Sequence, residues 1–126
     1  MKQHHCNDAD FQDFINQHLL YHKVVKVHEI NDQTAELTLD NGIVLIARGN
    51  EGCGGCEMGW FYLTALNACD NAITKVELVE KNDMVYSIFV YAEDNRINLL
   101  TYQGEDNGYY GVGYTLRVQE KSEGNT

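Results

Sequence analysis

Apolar residues fall at helical spacing near the start of the chain and in alternation afterwards. Phe11, Phe14, Ile15, His18 and Leu19 form one stripe when wound at about 3.6 residues per turn, which predicts a short helix over residues 8–21. Asn7 or Asp8 is placed to cap it, and acids in its first turn suit the positive end of the helix dipole. A helix with one greasy stripe covers a sheet. Two strands are predicted next, over residues 23–30 and 34–39. Alternation is clearest in Ala35-Glu36-Leu37-Thr38-Leu39. Asp40-Asn41-Gly42 then reads as a tight hairpin, because Asn and Gly tolerate positive φ, and the return strand covers residues 43–47.

A glycine-rich, cysteine-bearing loop follows over residues 49–59. Trp60, Leu63 and Leu66 then recur on one side of a predicted second short helix over residues 60–67. The rest of the chain reads as strands over residues 73–79, 85–91, 96–102 and 109–119. Polar, turn-forming stretches at residues 80–83, 92–95 and 105–108 separate them. The expected fold is α+β: a curved, mostly antiparallel sheet with an N-terminal helix, a second short helix and a zinc-stapled loop.

Length bounds this picture. A chain of 126 residues suits a single domain over 1–126, with an ordered core over 8–120 and a frayed polar tail over 121–126. The net charge of -10 argues against the phosphate backbone as a partner, since binding it needs a basic face. It suits a protein that meets a basic protein surface. The chain has no proline, which excludes folds that depend on a cis-proline. No apolar run approaches the roughly 20 residues of a membrane helix. Met1-Lys2-Gln3-His4-His5-Cys6 lacks the apolar stretch of a signal peptide. The expectation is a cytoplasmic protein, in which four cysteines act as thiols or metal ligands rather than disulfides.

Cys53-Gly54-Gly55-Cys56 is the sharpest chemical feature. A C-x-x-C knuckle lets two thiolates converge on one metal, and its glycines let backbone amides approach the sulfurs. Cys69 is the third candidate ligand, and tetrahedral zinc takes four. The fourth is open among Cys6, His28 and Asp70, with His4 and His5 flanking Cys6. Cys6 would complete a set using every cysteine in the chain. The rival reading is dithiol redox chemistry, since strand, C-x-x-C and helix is the local order of a thioredoxin-like site. The missing proline and the β-rich second half oppose it.

Gly104 to Tyr114 is rich in glycine and tyrosine. A strand rather than a helix is expected after it, so it reads as an Asn-Gly turn with a glycine-marked bulge and not as a phosphate cradle. Tyr109, Tyr110 and Tyr114 are candidate interface anchors, small-ligand contacts or sheet-packing residues. Carboxylates are scattered and no serine sits in a nucleophile elbow, so no catalytic set is expected.

The stretch from about Lys23 to Val118 resembles a family of small, mostly uncharacterised phage and prophage proteins. The resemblance rests on His22-Lys23-Val24-Val25-Lys26-Val27, on Leu37-Thr38-Leu39-Asp40-Asn41-Gly42, on the segment from Gly52 to Cys69, and on Asn107-Gly108-Tyr109-Tyr110-Gly111. By size, charge and zinc signature the chain is also similar to the zinc-containing anti-CRISPR inhibitors of type II-A effectors. That likeness implies a non-enzymatic viral protein that binds a host Cas9 effector in the host cytoplasm and blocks loading of target DNA. It implies no direct binding to nucleic acid and no membrane partner.

Overall fold

The computed structural model describes residues 4–5, 9–49, 61–81, 85–104 and 114–119. Along them run β1 (His4–His5), α1 (Phe11–Leu19), β2 (Val24–Glu29), β3 (Thr34–Leu39), β4 (Val44–Gly49), β5 (Phe61–Leu66), β6 (Lys75–Lys81), β7 (Val85–Ala92), β8 (Asn95–Gly104) and β9 (Tyr114–Val118). All strand pairs are antiparallel. In place of one curved sheet there are two. One has five strands in the order β1-β9-β4-β3-β2, and the other has four in the order β5-β8-β7-β6.

Alternation builds the inner faces. In β3, Ala35, Leu37 and Leu39 are buried, and Ala35 and Leu37 lie opposite Ala47 and Leu45 of β4. In β7, Tyr86, Ile88, Val90 and Ala92 are buried. Both inner faces contribute to one apolar cluster, and its centre is aromatic. Tyr102 and Tyr114 stack with centroids 4.7 Å apart, and Phe11 meets Tyr114 edge-on at 5.9 Å. The β3–β4 hairpin closes through residues 40–43, with the Gly42 N–H donating to the Leu39 carbonyl at 3.0 Å. Asn41 Oδ1 accepts the Ile43 N–H at 3.0 Å beside Gly42, whose φ is 90°. Between β7 and β8, Glu93 and Asp94 both take positive φ (50° and 63°), the backbone of a type I′ turn.

The predicted N-terminal helix is present as α1. Asp10 occupies its N-cap, in place of Asn7 or Asp8, and the Asp10 carbonyl accepts the Phe14 N–H at 3.0 Å. Phe11, Phe14, Ile15 and Leu19 are buried. The helix packs against β6 and β1, so it fills the flank where those two edge strands face each other. Gln12 Nε2 donates to the Val76 carbonyl at 3.2 Å, covering part of the β6 edge.

The predicted second helix is corrected. Residues 61–66 form β5, paired to β8. The pairing shifts register between Leu63 and Ala65. That bulge lets Leu63 and Leu66, three apart, both lie on the Tyr102 and Leu100 side of the sheet. A bulged strand therefore imitates helical spacing. The aromatic residues Phe61 and Tyr62, and the β-branched Thr64, favour the strand.

The opposite flank is closed by backbone rather than by a helix. β2 and β5 are the two edge strands there. At one point Val24 and Cys69 exchange both backbone hydrogen bonds, at 3.0 and 2.9 Å. At another the Leu63 N–H donates to the Asp32 carbonyl at 2.8 Å. Between these two ties the strands part around a cleft of about 300 Å³ lined by Val27, Glu29, Leu63, Thr64, Ala65 and Leu66.

Candidate functional site

The register sorts the candidate ligands by position. Val24 pairs with Leu39 on β3 and bridges to Cys69, so Cys69 lies at the Leu39 end of the sandwich. Gly49, which donates to the Gln33 carbonyl at 2.8 Å and pairs with Tyr114, lies at the other end of β3. The stretch from Gln33 to Leu39 spans about 20 Å at the usual strand rise. Phe61, opposite Gly104, belongs to the Gly49 end. His5, opposite Thr115, also leads toward that end. Gly49, Phe61, Gly104, Tyr114 and His5 are thus the anchors of segments 50–60, 105–113 and 6–8. Cys6, Cys53 and Cys56 fall in those segments and lie outside the described residues.

Cys69 is buried in the apolar cluster, and its thiol donates to the Asn71 carbonyl at 3.3 Å. His28 stands on the outer face of β2, exposed, with Nδ1 3.7 Å from Glu36 Oε1. Asp70 is exposed in the connection after Cys69. Among the described residues no group of three or more His, Cys, Asp or Glu side chains is placed to hold a metal. Of the tyrosine candidates, Tyr114 is a core residue, while Tyr109 and Tyr110 lie outside the described residues.

Two polar clusters stand out. His22 Nδ1 and Asp40 Oδ1 meet at 2.8 Å, tying the connection after α1 to the β3–β4 hairpin. The His22 hydrogen bond holds the Asp40 carboxyl below its ordinary range. On the outer face of the four-stranded sheet, Glu77 Oε1 accepts from the Tyr91 hydroxyl at 2.9 Å and from Arg96 at 3.1 Å. These bonds lower the Glu77 pKa and raise that of Arg96. The Arg96 guanidinium lies 3.8 Å over the Phe89 ring.

Acidic side chains concentrate away from the sheet faces. Asp10 and Asp13 belong to the helix and its cap, and Asp32, Asp40, Asp70, Glu93 and Asp94 lie in turns and connections. Glu29, Glu36, Glu77 and Glu80 are the exceptions among the described residues, carried on strands. Glu29 lies opposite the fully buried Ala35 at the end of β2, and its own side chain is exposed.

An antiparallel two-sheet α+β domain with one short helix is the class this architecture defines, and none of its described helices is long and apolar enough to cross a membrane. The chain belongs to the DUF7448 family, a domain of unknown function whose profile matches residues 17–116. No curated protein and no solved structure matches it.

Proposed function

We propose that this DUF7448 domain is a non-enzymatic, phage-type binding protein. It docks on the basic nucleic-acid channel of a Cas9-type host effector in the host cytoplasm and blocks target-DNA loading. The observation that carries this reading is the net charge of -10, with acids held in exposed turns and connections. Channels that hold nucleic acid are positively charged, and a strongly acidic protein is steered to them at low salt. The end bearing Gly49, Phe61, Gly104 and Tyr114 is the favoured docking end. Asp32 is exposed there, and the segments anchored there contain Glu51, Glu57, Glu105 and Asp106 in sequence.

A structural zinc belongs to the same proposal. Cys53 and Cys56 are its first two ligands, and Cys6 joins them because β1 leads toward the same end. Cys69, with a buried thiol at the far end, acts in packing. The metal would staple a long connection that a small core cannot hold alone. Purified protein mixed with type II-A effectors and guide RNA tests the function. The expected result is a stable complex and loss of DNA cleavage that weakens as salt rises. Full cleavage with no complex for any effector would remove the reading.

A further inference from the structure

The Asp40-Asn41-Gly42 turn takes no part in the proposed docking, which uses the opposite end of the sandwich. It joins β3 to β4, and all three of its residues are exposed. Asn41 is the one asparagine among the described residues that a glycine follows. Glycine has no Cβ to shield its nitrogen, so an Asn-Gly pair carries an electrophile and a nucleophile side by side. When the Gly42 nitrogen attacks Asn41 Cγ, an N–Cγ bond forms and the Cγ–Nδ2 bond breaks. The side-chain nitrogen leaves as ammonia with the proton of the Gly42 amide. Water then opens the five-membered imide at either carbonyl and leaves aspartate or isoaspartate.

The closed turn withholds both reacting groups. The Gly42 N–H donates to the Leu39 carbonyl at 3.0 Å, and that bond holds the proton which the attacking nitrogen must lose. Asn41 Oδ1 accepts the Ile43 N–H at 3.0 Å, which fixes the rotation of the side-chain amide. Just beneath, the Leu39 N–H donates to the Ile43 carbonyl at 2.8 Å. Asp40 is fastened twice on the other side. Its N–H donates to the Lys23 carbonyl at 3.1 Å, and its carboxylate meets His22 Nδ1 at 2.8 Å. We propose that Asn41 is a self-modification site gated by opening of this turn and kept shut by the His22 clasp. The closed hairpin keeps Asn41 as asparagine, and each opening exposes it to ring closure. Both products place a new carboxylate beside Asp40. Isoaspartate also adds a carbon to the main chain within the turn, so the bond from Gly42 to Leu39 is not remade in the same register. The modification is irreversible and records past opening.

The full chain, incubated at one pH and temperature either folded in buffer or unfolded in guanidinium chloride, tests this. Mass spectrometry follows the peptide containing residues 41 and 42 for conversion of amide to acid and for isoaspartate, apart from the peptide containing Asn107-Gly108. Conversion at Asn41 is expected to be slower in the folded chain by about tenfold or more, the factor that a closed turn imposes on a reaction of its open form. His22→Ala removes one fastening of Asp40 and should speed conversion in the folded state by about threefold or more, with no change in guanidinium chloride. Equal rates in the folded and unfolded chain overturn the inference. So does an Asn41 that stays unconverted when the chain is unfolded, or a folded His22→Ala variant that converts no faster than the unaltered chain.

Discussion

The two ends of the sandwich are built on different terms. At the end holding Leu39, Cys69 and Ala92, the connections are tied by hydrogen bonds. Tyr21 and His22 exchange backbone bonds with Ile73, His22 holds Asp40, and Asn67 Nδ2 donates to the Asn98 carbonyl at 2.8 Å. At the other end stand the anchors of the longer segments 50–60 and 105–113, with the Gln33 carbonyl accepting from both Gly49 N–H and the Tyr102 hydroxyl. The first end closes the core through its own turns. Cys69 belongs to the tied end and to the core, whereas Cys53 and Cys56 belong to a segment anchored at the other.

Substitutions at the two ends should differ in kind. The largest effect is expected at the tied end. Ile73 is fully buried, and Ile73→Ala should lower unfolding free energy by about 2–4 kcal/mol, read by urea denaturation at an unchanged m-value. A loss well under about 1 kcal/mol would mean that this end does not share the common core. At the other end, Tyr102→Phe removes a hydrogen bond of 2.6 Å to Gln33 and should cost about 1 kcal/mol in the same assay.

A gain is predicted at Tyr21. It is 76% exposed and sits at φ 69°. Tyr21→Gly should relieve the left-handed backbone and stabilise by about 0.5–1 kcal/mol. The smallest effect concerns pH. Asp40 has a lowered pKa in the folded state through its bond to His22, so its contribution is present above the unfolded carboxylate value and is lost as pH falls through the folded one. Thermal melts of the unaltered chain and of Asp40→Asn should therefore differ at neutral pH and converge below about pH 4.

Much of the fold was legible. The alternation of Ala35, Leu37 and Leu39 marked β3 at its observed bounds, and the helical stripe from Phe11 to Leu19 marked α1. The bulge in β5 hid a strand behind helical spacing, because three-residue intervals between Leu63 and Leu66 arise from either geometry. The division into two sheets was not legible, since β9 pairs with β4 and β1 across most of the chain and local pattern carries no such information. β1 has two residues, too few to show a period. For the site, the sequence grouped Cys69 with Cys53 and Cys56 by proximity along the chain. The extended run of β5 and the connection after it carries Cys69 to the Leu39 end, while Cys53 and Cys56 lie outside the described residues.

Metal content of tag-free protein, compared across the unaltered chain, Cys53→Ser and Cys69→Ala, tests this division most directly. About one zinc per chain is predicted for the unaltered protein and for Cys69→Ala, the latter less stable, and none for Cys53→Ser. Metal-free unaltered protein, or loss of zinc from Cys69→Ala while its fold is retained, would contradict the account.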